Sequence, residues 1–241
     1  MQVQNPELVD NLRAYFAPNS VLELWEWLTC YHYGGITGIT DHFRGAALLA
    51  NWNWAGAPFV VPGSIVVQDS ILRVGNIAAA SQSFLYQAAP AITINNIDKY
   101  ASVGLNAQTV GFGGGLRMDD GTNNNFIEVV LLVNQFSPTL WEIRARGALG
   151  GVPAGPAISD TLNLPISYLL RMDIFGTIWT AWSVYPELHH PFGHLGRMWK
   201  PAIDVFAAGG NFTPTRVGLI FDNSPTAGTW ERVYVDWCTL E

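Results

Sequence analysis

From Asp41 onward, apolar and polar residues alternate with a period of two, the mark of strands that bury one face. In Trp141-Glu142-Ile143-Arg144-Ala145-Arg146 one face is apolar and the other charged. Leu169-Leu170-Arg171-Met172-Asp173-Ile174 repeats the pattern, with Leu170, Met172 and Ile174 inward. The same reading predicts strands over Ser64–Gln68, Ile71–Val74, Ala91–Asn95, Ser102–Gln108, Gly114–Met118, Phe126–Val133, Leu140–Arg146, Tyr168–Phe175, Ile178–Tyr185, Arg216–Phe221 and Trp230–Trp237. No helical pattern separates them. Antiparallel strands in such succession predict an all-β fold of two packed sheets.

The first 33 residues follow another rule. Asn5-Pro6 is a cap followed by proline at the first helical position, and Leu8, Leu12, Tyr15 and Phe16 then recur at helical spacing. Ala17-Pro18-Asn19 ends that helix. Ser20-Val21-Leu22-Glu23 has the spacing of a capping box and opens a second helix through about Tyr31. Its stripe is Val21, Leu24, Trp25 and Leu28, but Leu22 and Trp27 fall outside it. The segment is too apolar for a single buried face. Leu8, Leu12, Tyr15, Phe16, Leu22, Trp25 and Trp27 are therefore candidates for docking or oligomerisation. The chain divides into a helical segment (1–33), an extended Gly-Ile-Thr connector (34–40) and the sandwich (41–241).

Composition narrows the function classes. Hydrophobic residues make up 49% of the 241 and charged ones 13%, so a large core is easily filled and disorder is disfavoured. The net charge is −7, the only lysines are Lys99 and Lys200, and no basic run exists to neutralise phosphates. Nucleic-acid binding is disfavoured on that ground. No apolar run reaches the roughly 18 residues of a membrane span. The first 30 residues carry acids, lack a basic start and end without a small-residue cleavage site, so no signal peptide is expected. Cys30 and Cys238 have neither a Cys-x-x-Cys partner nor metal-ligand spacing. They read as two free buried thiols, with a bridge between them as the alternative.

Several short motifs recur in a familiar order: Asp41-His42-Phe43-Arg44-Gly45, Trp52-Asn53-Trp54, Gly63-Ser64-Ile65-Val66-Val67 with Leu72-Arg73-Val74, Gly115 to Asn124, Val217-Gly218-Leu219, and Asp236-Trp237. In this order they resemble the concanavalin A-like lectin/glucanase superfamily, over about residues 41–241. The resemblance implies a two-sheet antiparallel jelly-roll sandwich, here preceded by a short N-terminal α-helical segment. It implies a carbohydrate ligand. It also implies a structural calcium ion between the first and last strands of many members, with Asp41 and Asp236 at the matching positions; otherwise no cofactor is expected. Asp119-Asp120-Gly121-Thr122-Asn123 is an alternative calcium loop, although Asp-Gly between strands is first of all a hairpin turn.

Catalytic members of the superfamily need paired carboxyls, one of them able to hold a proton. Glu128 stands alone in Phe126–Val133, Glu142 is followed by Arg144 and Arg146, and Asp173 has Arg171 as its same-face neighbour. No strand presents an acid pair, and the superfamily's Glu-x-Asp-x-x-Glu hydrolase signature is absent. The chain is therefore expected not to be an enzyme. Glu142/Arg144/Arg146 and Arg171/Asp173 are expected on neighbouring strands, as a solvated ion-pair face or a polar groove for sugar hydroxyls. Trp54, Trp141, Trp230 and Trp237 read as core residues. Trp179 and Trp182 lie on opposite faces of one strand, so one points outward. Trp199, in the loop Gly196–Pro201, is the candidate stacking platform. His189-His190-Pro191-Phe192-Gly193-His194 lacks an obvious fourth zinc ligand and reads as loop decoration.

These features converge on a non-enzymatic virion structural protein: a bacteriophage head-decoration, fibre or tail component assembled in the host cytoplasm. Its lectin-like sandwich would face outward from the virion surface toward cell-surface glycans. Its partners would be capsid or tail proteins, or copies of itself in a homo-oligomer such as a trimer. The alternatives are an extracellular free carbohydrate-binding module and, behind it, a glycan hydrolase or lyase.

Overall fold

The computed structural model describes residues 41, 43–68, 71–88, 95–107, 109–135, 140–153, 158–162, 168–175, 178–186, 195–199, 202–203, 212–223 and 231–239. Side chains are described for only part of the strands. The two N-terminal helices, with every docking residue assigned to them, lie outside these residues, as does His189–His194.

The described strands form two antiparallel sheets, and no helix occurs among the described residues. The first sheet runs β1 (Asn53–Trp54), β4 (Ser81–Ala88), β15 (Arg216–Asn223), β6 (Phe112–Asp119), β7 (Phe126–Gln135), β8 (Leu140–Leu149) and β10 (Ile158–Leu162). Here β9 (Val152–Pro153) pairs with β8. The second runs β13 (Leu195–Trp199), β12 (Ile178–Pro186), β11 (Tyr168–Phe175), β5 (Asn95–Asn106), β16 (Arg232–Thr239), β3 (Ile71–Gly75) and β2 (Ser64–Gln68), with β14 (Ala202–Ile203) beside β12.

The main core lies between the sheets. Leu72, Val74, Val103, Leu170, Met172, Val233 and Val235 meet Leu85, Leu116, Met118, Ile127, Val129, Leu131, Val217, Leu219 and Phe221 there, all buried. Leu170 and Met172 thus point inward, as their alternation predicts. A second, smaller cluster of Ala55, Phe59, Phe84, Val130, Leu132 and Ile220 covers the opposite face of the first sheet. Strands β4, β15 and β7 are therefore buried on both faces. That is why Val129-Val130-Leu131-Leu132-Val133 reads as one unbroken apolar run rather than an alternation.

Three expectations change. Ser81–Ala88 is a full strand, although its inward positions hold Ser83 and Gln87 beside Leu85 and its outward ones Phe84 and Tyr86, so polar and apolar residues do not alternate. Trp199 is not in a loop: it ends β13 and pairs with Ser183. Strands β8 and β11 belong to different sheets, so the charged positions they carry are not neighbours. Alternation reveals which residues share a face, but not which strand lies alongside.

Candidate functional site

Outward residues of the first sheet fall into cross-strand rows set by register. One row reads Tyr86, Gly218, Arg117, Glu128, Arg146. Beside it runs Arg216, Asp119, Phe126. On the other side lies Phe84, Ile220, Gly115, Val130, Arg144, and beyond that Gln82, Asp222, Gly113, Leu132, Glu142.

The central row sets Glu128 between two arginines. Its Oε2 accepts from Nη1 of Arg117 at 2.9 Å, and its Oε1 accepts from Nε of Arg146. Arg117 also donates through Nε to Asp119 Oδ2 at 3.1 Å and through Nη2 to Asn123 Oδ1 at 2.8 Å. Asp119 takes a two-pronged contact from Arg216, at 2.6 Å from Nε and 2.9 Å from Nη2. Nη2 of Arg146 reaches Asp222 Oδ2 at 2.7 Å, an oxygen that also accepts from Gln82 Nε2 at 3.2 Å. A continuous ladder results: Arg216, Asp119, Arg117, Glu128, Arg146, Asp222.

Arg117, Asp119 and Glu128 are fully buried. Charges so placed are tolerated only when every one is paired and hydrogen-bonded. Aromatic rings complete the lining. The Arg117 guanidinium lies 4.1 Å from the Phe126 ring centre, 5.0 Å from Phe59 and 5.6 Å from Phe84. That of Arg216 lies 5.1 Å from Tyr86 and 5.4 Å from Phe84. Ring faces attract a desolvated guanidinium and exclude water from it. Burial alone would raise the Glu128 carboxyl, but Arg146 and then Arg117 outweigh it and hold it below its usual 4.5. Glu128 in turn raises Arg146 above the ordinary arginine range.

The ion pair between Arg146 and Asp222 spans two intervening strands, β7 and β6. In a flat sheet those outer strands would stand about 14 Å apart, at roughly 4.8 Å per spacing. The contact therefore requires the sheet to curve toward this face. Glycine makes the close approach possible: a Cβ on Gly115 would strike the carbonyl oxygen of Val129, and one on Gly218 that of Leu85.

Of the sequence candidates, Arg144 and Arg146 stand on this face, with side chains 36% and 27% exposed. Arg144 Nε donates to Glu142 Oε1 at 2.6 Å, and Asn134 Nδ2 donates to Oε2 of the same carboxylate. Arg171 and Asp173 lie in the second sheet, where Arg171 pairs with Tyr100 and Trp182, and Asp173 with Asp98 and Thr180. Trp179 pairs with Ile174 and Ile203. Trp54 is half-buried against the main core, 6.0 Å from Phe221. Sequence reasoning missed Arg117, Asp119, Arg216 and Asp222 as one network. A lone acid within an apolar run was the available signal, because a buried charge demands partners.

The calcium expectation meets a different arrangement. Asp41 is buried, and its oxygens accept from the Phe43 amide and the Trp52 indole, each at 2.6 Å. No group of three or more His, Cys, Asp or Glu able to hold a metal ion occurs among the described residues. The side chain of Asp236 lies outside them. In the alternative loop, Asp120 accepts from the N–H and hydroxyl of Thr122 and from Asn125 Nδ2, while Gly121 turns with φ +94°. These are turn contacts. Both Asp41 oxygens are thus engaged by protein N–H groups, and the described contacts of Asp120 are those of a hairpin turn. Cys238 is a buried free thiol, pushed up by its burial and secondarily by the Asp41 charge.

No family model matches the sequence, and neither does any curated protein. Solved structures share the fold. The CBM2 module of the evolved Dit of Lactobacillus casei BL23 phage J-1 is 10% identical, with a TM-score of 0.56 over 83% of this chain and 95% of that one. Xylan β-1,4-xylosidase from Bacillus halodurans is 15% identical, with a TM-score of 0.59 over 85% of this chain but only 39% of the enzyme. A legume lectin-like domain from Entamoeba histolytica is 10% identical, with a TM-score of 0.50 over 78% of this chain and 88% of the domain. The fold is thus a lectin-like β-sandwich. At these identities the likeness speaks for the fold alone.

Proposed function

We propose that the chain is a non-enzymatic component of a bacteriophage particle, a head-decoration, fibre or tail protein, whose lectin-like sandwich faces outward and holds surface glycans. The observation that carries the non-enzymatic reading is the state of the acids on the outer face of the first sheet. Among the described residues there, Asp119, Glu128, Glu142 and Asp222 each accept from an arginine. Glycoside hydrolysis needs a carboxyl that holds a proton, and Arg146 and Arg117 hold Glu128, the hub of this network, toward its ionised form. The likeness to a phage Dit module supports placement on a particle and carbohydrate as the ligand class.

Among the described residues four arginines (117, 144, 146, 216) face four carboxylates (119, 128, 142, 222) on this side of the sheet. A balanced face offers little net field to an anionic polymer. Arg144 and Arg146, the most exposed members, suit the hydroxyls of a neutral glycan. The test is affinity electrophoresis of the full chain in neutral and anionic polysaccharides, with a reducing-sugar assay alongside. Retardation in a neutral polysaccharide, weakened by Arg144→Ala and without sugar release, is expected. Sugar release abolished by Glu128→Gln or Glu142→Gln would replace this reading with a hydrolase. Light scattering separates the other alternative, because a stable monomer that binds polysaccharide would be a free carbohydrate-binding module.

A further inference from the structure

Asp41 sits where the chain enters the sandwich, and it is tied in four ways. Its N–H donates to the Cys238 carbonyl at 3.2 Å and its carbonyl accepts from the Cys238 N–H at 3.0 Å, a two-way bridge to β16 of the second sheet. Its carboxylate accepts from the Phe43 amide and the Trp52 indole. Trp52 and Phe43, with rings 6.0 Å apart, are both buried in the main core. One residue beyond Trp52, β1 begins and pairs with β4 at the edge of the first sheet. Asp41 and Trp52 therefore close the stretch that carries the chain from one sheet to the other.

The two groups need each other. A buried indole N–H and a buried carboxylate each require a partner, and here each supplies it. We infer that the Asp41–Trp52 contact is a metal-free clamp, tying the last strand to the segment that joins the sheets without the calcium ion such an acid would otherwise hold. Closing the eleven-residue separation between Asp41 and Trp52 restricts the exposed run Arg44 to Ala47 between them.

The test is thermal unfolding of the full chain in chelator and in millimolar calcium, together with Asp41→Asn, Trp52→Phe and the double variant. The expected melting temperature of the unchanged chain is the same in both solutions. Each single variant should melt lower by roughly 4–10 °C, and the double variant little lower than either. A calcium-dependent rise in melting temperature would overturn the inference, and so would additive losses in the double variant. Should the variants fail to fold, hydrogen exchange at the Trp52 indole of the unchanged chain decides the matter. Slow exchange is expected; exchange at the rate of an exposed indole sinks the clamp.

Discussion

Glu128 shows how far a single residue can mislead and inform. In the sequence it is an isolated acid in an apolar strand, and isolation argued against catalysis. In the structure it is the hub of a buried ladder, held by Arg117 and Arg146. Removing its charge breaks a fully buried ion pair and leaves Arg117, lined by Phe59, Phe84 and Phe126, with only Asp119, already shared with Arg216, as its counter-charge. Glu128→Gln should therefore cost about 3–5 kcal/mol in denaturant unfolding, whereas Glu142→Gln, whose partner Arg144 is partly solvated, should cost about 1 kcal/mol. The acid limb follows from the same geometry. A carboxyl whose folded value lies below its unfolded 4.5 stabilises fully above that value. Its contribution fades as the pH falls below 4.5 toward the folded value. Melting temperature against pH should show a steeper acid decline in the unchanged chain than in Glu128→Gln. Glu128, Glu142, Arg144 and Arg146 were thus visible one by one, while their partnership with Arg117 and the rest of the ladder was not, since Arg117 and Glu128 lie eleven residues apart and meet only through the β6–β7 register.

Among the elements, β6 and β4 are the instructive pair. Strand β6 was foreseen over Gly114–Met118, yet its glycines say nothing in sequence about what they touch. In the sheet, Gly115 lets β6 approach β7 so closely that a methyl group would enter the Val129 carbonyl. Gly115→Ala should lower stability by about 2–3 kcal/mol, read as a lower urea midpoint, with the loss greatest for amide protection along β6 and β7. Strand β4 escaped notice for the opposite reason. A strand buried on both sides has no solvent face to set the period: Ser83 lies with Leu85 on the main-core side while Phe84 faces the ladder. The same burial on two sides hides the boundary between core and site.

For the whole molecule, the proposal ties the sandwich to a particle, and its test is one of assembly. Sedimentation of the full chain should show a stable oligomer, or the chain should co-purify with intact virions and survive washing in high salt. A monomer in both settings would leave the free module as the better reading. The period-two patterning was enough to determine that the described residues form an all-β fold and that Leu170 and Met172 of β11 point inward. Those properties are local, because neighbouring side chains on a strand must point to opposite faces. Only the tertiary structure decided which strands lie side by side. That choice set β8 against β7 rather than β11, joined Arg117, Glu128 and Arg146 into one row, and gave Asp41 the Trp52 indole as a partner. Such pairings depend on contacts between residues far apart in the chain, and the energy that selects them is the burial of two faces at once, which no single strand carries in its own pattern.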